Sequence, residues 1–217
     1  MKQPTPIYQG NYNNVVYSDN IPPVLTETIK ESGCGIVSAV MMLNAFDIKV
    51  TVQELAKLSM DNHFRVEAGT SWALFPFIAK QYGLQLVQTD DMADVKKALQ
   101  DGKLVICSMG PGTFTKGGHF ILAYDFASGL LYFDDPASSA RTGKGYSPDL
   151  VQKEHKEYFV FSKPAVEMNV NAAIDIWAKA GVIGDPDGMK NDFKTGKFRP
   201  DRYQAFLIKS AKYISKG

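Results

Sequence analysis

Residues 34–46, Cys34-Gly35-Ile36-Val37-Ser38-Ala39-Val40-Met41-Met42-Leu43-Asn44-Ala45-Phe46, form a run that is apolar nearly all round a helical wheel. A helix of that kind has no face to offer water, so other elements must enclose it. The chain therefore needs layers on more than one side of this segment. With 217 residues, 45% of them apolar, it is long enough to build such a core without a metal or disulfide staple. An aromatic content of 12% and a net charge of +1 exclude a disordered chain. The same near-neutral charge argues against a nucleic-acid partner. No apolar run reaches the roughly 18–20 residues needed to cross a bilayer, so no membrane span is expected. Met1-Lys2-Gln3-Pro4-Thr5-Pro6 starts no signal-peptide region, which predicts synthesis in the cytoplasm.

Residues 1–24, rich in Asn, Tyr and Pro, read as an extended lead-in. After the apolar helix come three amphipathic ones. Thr51-Val52-Gln53-Glu54 is a capping box opening a helix to about Met60. Thr70-Ser71 is expected to cap a helix over 72–82, ended by Gly83, and Asp91 one over 92–101, ended by Gly102. Strand patterns follow at 104–108, 119–124, 130–133 and 158–161, with Ala127-Ser128-Gly129 as a hairpin connection. Helices first and antiparallel strands afterwards predict an α+β fold. Pro164 marks the expected boundary of a second, helical unit, 164–217, with helices over about 170–181 and 201–215. Residues 163–217 carry 10 basic and 6 acidic side chains against 14 and 17 in residues 1–162, so the tail leans toward anionic partners.

Chemistry has few candidates. Cys34 starts the buried helix, where free N–H groups and the helix dipole favour a thiolate. His119 opens a strand directly after the glycine-rich run 110–118. Asp135, followed by Pro136, ends the next strand. A hairpin of those two strands brings His119 and Asp135 to one end of the sheet, where a carboxylate can hold the imidazole in one tautomer. Asp134 should point the other way, because strand side chains alternate. Cys107, inside a strand, reads as core, and His63 and His155 as solvated. No metal and no cofactor are expected: no second His or Cys stands at ligand spacing, and Asp185-Pro186-Asp187-Gly188 lacks the alternating ligands and closing Glu of a calcium loop.

Gly33-Cys34-Gly35 heading a buried helix, Gly118-His119-Phe120-Ile121 and Asp135-Pro136-Ala137, in that order, resemble the motifs of the papain-like cysteine peptidases related to bacteriocin double-glycine leader peptidases. The resemblance covers roughly residues 25–162 and implies a papain-like domain over 25–163. More narrowly, Gly69-Thr70-Ser71-Trp72, Met109-Gly110-Pro111-Gly112-Thr113-Phe114 and Asp135-Pro136-Ala137-Ser138 are similar to the branch found in cell-wall hydrolases of Gram-positive bacteria and their phages. Ala173-Ile174-Asp175-Ile176 and Gly181-Val182-Ile183 are similar to helical segments appended to some phage lysins. The resemblance implies a Cys34 nucleophile, a His119 acid–base and an orienting Asp135. It implies hydrolysis of peptide bonds in bacterial peptidoglycan, by an enzyme reaching the wall after release or within a phage particle.

The family usually has Gln six residues before the nucleophile, contributing to the oxyanion hole. Thr28 stands there in this chain, so a hydroxyl would take that role beside the Cys34 N–H. Trp72, Phe114, Gly117 and Gly118 are candidates to flank the substrate. Two other functions remain open at this stage. One is a double-glycine leader peptidase, although those are usually fused to a transporter. The other is an inactive binding module on the same fold, which the Thr28 departure would suit.

Overall fold

Enclosure of the apolar segment dictates the architecture. The computed structural model describes residues 3–18, 27–67, 69–164 and 170–197, with Arg199, Ala205, Phe206 and Lys209. The chain divides into two compact units, Met1–Pro164 and Ala165–Gly217. In the first, a short 3-10 helix (Gln9–Asn11) precedes α1 (Ile29–Ser32), α2 (Cys34–Ala45) and α3 (Val52–Asp61). Then come β1 (Arg65–Val66), β2 (Gly69–Thr70), α4 (Leu74–Gln81), β3 (Gln85–Thr89) and α5 (Met92–Gln100). The sheet continues with β4 (Leu104–Met109), β5 (His119–Ala127), β6 (Leu130–Asp134) and β7 (Gly145–Tyr146), and α6 (Pro148–Glu154) leads into β8 (His155–Ser162).

Six strands form one sheet in the order β3-β8-β4-β5-β6-β7, with every neighbouring pair antiparallel. One face packs Leu104, Ile106, Phe120, Leu122, Phe159 and Phe161 against α2, α3 and α4. The other packs Val105, Cys107, Ile121, Ala123, Tyr158 and Val160 against α5, with Val151 of α6. The alternation along β4 and β5 thus serves two cores at once, and β4 is buried throughout. Each large apolar side chain buried this way contributes roughly 1.5–3 kcal/mol. Cys107 is fully buried, as its strand pattern predicts, and burial pushes its thiol far up.

The capping box at Thr51 forms as its sequence requires, and Asp91 caps α5 by accepting from the Ala93 N–H at 2.7 Å. Three expectations change. The helix expected from residue 72 starts at Leu74, because Gly69 and Thr70 pair with Arg65 and Val66 as a small two-stranded sheet. The strand β3 escapes a periodicity reading, since it is a mostly exposed edge strand paired with β8. The lead-in is not simply extended: it carries the 3-10 helix, and Tyr17 and Ser18 are buried.

Tyr17 explains much of that docking. Its hydroxyl shares hydrogen bonds with Ser59 Oγ (2.9 Å) and Thr70 Oγ1 (3.0 Å). The Arg65 guanidinium lies 5.4 Å from its ring centroid. Arg65 is buried, donates to the carbonyls of Tyr17 (3.1 Å) and Gly69 (3.2 Å), and pairs with Glu27. Arg65→Leu strands these acceptors and one carboxylate. We expect a loss of about 3 kcal/mol in urea unfolding, because removing one partner of a buried pair forfeits its hydrogen bonds as well.

The second unit contains α7 (Val170–Lys179) and α8 (Pro186–Thr195). The sequence pattern gives a turn where α8 begins. There the Asp185 carboxylate accepts from the Gly188 N–H at 2.9 Å, Pro186 occupies the first turn and Gly196 closes the helix with φ 66°. Among its described residues Ile174, Val182, Ile183 and Met189 are the buried apolar ones, and Ile174, Ile183 and Met189 form one cluster. The helix expected over 201–215 lies outside the described residues, apart from Ala205, Phe206 and Lys209.

Candidate active site

Cys34 is the first residue of α2 and is half-buried. The N–H groups of a helix's first turn have no acceptor within the helix, so a negative sulfur there is stabilised. The next residue has to be glycine for a packing reason. A Cβ on Gly35 would meet the Thr70 side chain at 2.7–3.0 Å. We expect Gly35→Ala to push α2 off β2, lowering both the melting temperature and the alkylation rate of Cys34 with iodoacetamide. The overpacking penalty is about 1–3 kcal/mol.

The α2 helix runs along β5, where the Ser38 hydroxyl donates to the Phe120 carbonyl at 3.2 Å. This brings Cys34 to the start of β5, which His119 opens. The Cys34 thiol and the His119 ring lie close enough for each to shift the charge state of the other. Nε2 of His119 lies 2.8 Å from Asp135 Oδ1, which leaves Nδ1 as the ring nitrogen facing the sulfur. The hairpin explains the meeting of His119 and Asp135. Ser128 and Gly129 both have positive φ, 51° and 78°, the geometry that joins two right-twisted strands tightly. That turn sets Asp125 against Tyr132, and a β-bulge between Ala123 and Asp125 then shifts the pairing by one residue, so that Leu122 faces Asp134. One step further, Asp135 falls on the side of the pleat that His119 occupies, and Asp134 on the other.

Asp135 is also held by its own loop. Its Oδ1 accepts from the Ala137 N–H (2.8 Å), its Oδ2 from Arg141 Nε (2.6 Å), and its N–H donates to Thr142 Oγ1 (3.0 Å). Arg141 is a partner that the sequence reading passes over. The only signal was a cation six residues past the Asp-Pro turn. Asp134 takes Gln3 Nε2 at 2.7 Å instead, and burial pushes its carboxyl up to about 6.

The charges reinforce one another. Burial pushes the Cys34 thiol up, but the hydrogen bond and charge of His119 outweigh it, helped by the backbone N–H groups of Phe120 and Gly35. The net shift is downward. Burial likewise opposes the His119 cation, yet Asp135 and Cys34 raise it to about 9. Burial raises Asp135, while His119, Arg141 and the Ala137 N–H bring it below the usual carboxylate range. A thiolate facing an imidazolium that is backed by a carboxylate is an arrangement suited to nucleophilic attack on a carbonyl followed by protonation of the leaving group.

Other expected site residues fare differently. The Thr28 hydroxyl donates to the Glu31 carboxylate in a capping box at the start of α1, so it is not available as an oxyanion donor. Phe114 does not flank a cleft. It is 3% exposed, packed against Phe133 and Tyr146 in the second core. Trp72 keeps 41% of its surface exposed while resting edge-on against Phe159. Gly117 and Gly118 lie on an exposed loop with open space where side chains would be, Lys156 Nζ being the nearest group to Gly118 at 3.9 Å. His155 is not simply solvated. It stacks on Tyr158, with ring centroids 4.5 Å apart.

The model of the Peptidase_C39 like family matches residues 11–166. No curated protein matches the chain. Three solved structures are similar in fold. The peptidase domain of Streptococcus ComA, a bi-functional ABC transporter involved in a quorum-sensing pathway, is 14% identical over 60% of this chain and 90% of that one, with a TM-score of 0.44. A putative C39-like peptidase from Bacillus anthracis is 13% identical over 73% and 98%, TM-score 0.47. A double-glycine-motif protease from an AMS/PCAT transporter, in complex with its leader peptide, is 18% identical over 59% and 82%, TM-score 0.43.

Proposed function

From the premise that this chain belongs to the Peptidase_C39 like family and is a cysteine peptidase, we propose that Cys34, His119 and Asp135 are its catalytic residues and bacterial peptidoglycan its substrate. The observation that carries the catalytic assignment is the 2.8 Å contact of His119 with Asp135, at a ring close enough to the Cys34 thiol to favour its thiolate. The Cys34 thiolate attacks a peptide carbonyl, forming a C–S bond while the oxygen takes up negative charge. The backbone N–H of Cys34 stabilises that oxyanion. The C–N bond breaks as His119 passes its proton to the departing amine. Water then attacks the thioester, His119 removes its proton, and the acid product leaves the thiolate restored. Asp135 holds the ring in one orientation throughout and stabilises its cationic form.

The substrate assignment rests on the resemblance of three motifs to those of cell-wall hydrolases. One of them, Gly69-Thr70-Ser71-Trp72, lies against Gly35, next to the nucleophile, and presents the exposed Trp72. The loop before His119, with Gly117 and Gly118, leaves room for a peptide backbone to approach the imidazole. On this reading the enzyme reaches the wall after release from the cell that makes it, or as part of a phage particle.

The deciding experiment incubates the protein with purified cell walls and, separately, with a peptide ending its leader in Gly-Gly, followed by mass spectrometry of the products. Soluble wall peptides with new amino termini, absent with Cys34→Ala, are expected. Cleavage of the leader peptide alone would overturn the peptidoglycan assignment and favour leader processing. Cleavage of neither, with Cys34 alkylated no faster than an ordinary thiol, would favour an inactive binding module.

A further inference from the structure

We propose that Gln9 is a positioning residue that braces both halves of this site; the inference rests on the catalytic reading above. Gln9 opens the short 3-10 helix and is only 9% exposed. Its backbone N–H donates to the Pro136 carbonyl at 2.8 Å. Its side-chain amide donates to the Lys30 carbonyl, also at 2.8 Å. One residue thus connects the strand end that carries Asp135 to the helix that leads into Cys34.

Each contact bears on the chemistry. In a continuous α-helix the Lys30 carbonyl would accept from the N–H four residues later, which is that of Cys34. Gln9 occupies that carbonyl, and among the described residues the Cys34 N–H donates to no backbone carbonyl outside its own helix. Gln9 therefore keeps free the one N–H best placed to bind the oxyanion, at a site where Thr28 is committed to Glu31. On the other side, Arg141, Ala137 and Thr142 fix Asp135 only relative to its own loop. Among the described residues, the hydrogen bonds that tie this strand end to the N-terminal segment are Gln9 to Pro136 and Gln3 to Asp134, one on each side of Asp135. Ile7 anchors the same segment to α2, its N–H pointing to Met41 Sδ at 3.2 Å. Packing alone does not account for a glutamine here. Its Oε1 is buried without a protein partner, an arrangement less stable than an apolar side chain of similar size.

Two probes of Cys34 separate positioning from stability. Iodoacetamide alkylation needs only the thiolate, whereas acylation by p-nitrophenyl acetate also needs the oxyanion site. Cys34→Ala supplies the background for both. Gln9→Leu removes the amide and releases the Lys30 carbonyl. It should leave alkylation and its pH profile unchanged and slow acylation about tenfold or more, as expected for disturbing an oxyanion donor. Gln9→Pro also removes the N–H to Pro136, at a helix start that suits proline and after a Tyr8 that is already extended. It should slow acylation further and lower the alkaline limit of its pH profile. Thermal melts of both variants, read beside the rates, give the folded fraction. Wild-type acylation in both variants, or a loss that vanishes once rates are scaled to folded protein, overturns the brace. If wild-type Cys34 alkylates as an ordinary thiol, it is instead the catalytic reading that fails.

Discussion

Cys34→Ala is expected to abolish peptide hydrolysis, by about 10⁴-fold or more, with a melting temperature within about 5 °C of wild type. The size follows from chemistry. Without the sulfur no thioester forms, and the imidazole and oxyanion site are left to act on water alone. The small stability change follows from position. The side chain starts α2 and is half-buried, while the core side chains Ile36, Val37, Val40 and Leu43 stay in place. Release of new amino termini from substrate, measured beside a thermal melt, checks both halves. Activity retained in the variant would remove Cys34 from the mechanism. The other cysteine cannot substitute for it: Cys107 is fully buried and its thiol is held in the neutral form.

Asp135→Ala is expected to lower kcat/KM by about 10²- to 10³-fold, less than loss of the nucleophile, because the thiolate and imidazole can still pair. The same change moves the pH profile in a definite direction. His119 must carry a proton to release the amine, and it holds that proton up to about pH 9 because Asp135 and Cys34 stabilise its cation. Wild type is therefore active from the lowered Cys34 pKa up to about 9. Removing the carboxylate takes away part of what raises His119, so the alkaline limit falls toward the ordinary 6.5. It also leaves the Arg141 cation without its carboxylate partner. Asp135→Asn separates the two roles of this residue. An amide oxygen still accepts from Nε2–H and keeps the ring oriented, so the loss in rate is smaller while the alkaline limit still falls. Initial rates from pH 5 to 10 for the three proteins test this ordering. An alkaline limit that stays near 9 in both variants would show that Asp135 does not support the His119 cation.

The sequence made the main site legible because its parts are marked by strong local physics. A helix apolar all round must be central, so a cysteine at its start is held by the core. An Asp-Pro pair ends a strand and the Ser128-Gly129 turn joins it to the strand of His119, but the β-bulge between Ala123 and Asp125, which sets both side chains on one side of the pleat, left no local signal. Phe114 was misread because a glycine-rich loop suggests exposure, while an aromatic ring within it folds back onto Phe133 and Tyr146. Thr28 was misread because a hydroxyl at the right spacing has no fixed partner until Glu31, three residues on, closes the capping box.

Local patterning by itself determined the elements that have to be buried or capped, the order of cysteine, histidine and aspartate, and the α+β class. Tertiary structure alone decided the contacts that position them: Gln9 on Lys30 and Pro136, Thr70 against Gly35, and Arg65 beneath Tyr17. The reason is range. Caps, turns and alternation act between residues a few positions apart and leave a periodic trace. A buried amide or guanidinium bridging segments tens of residues apart leaves none until the chain has closed around it.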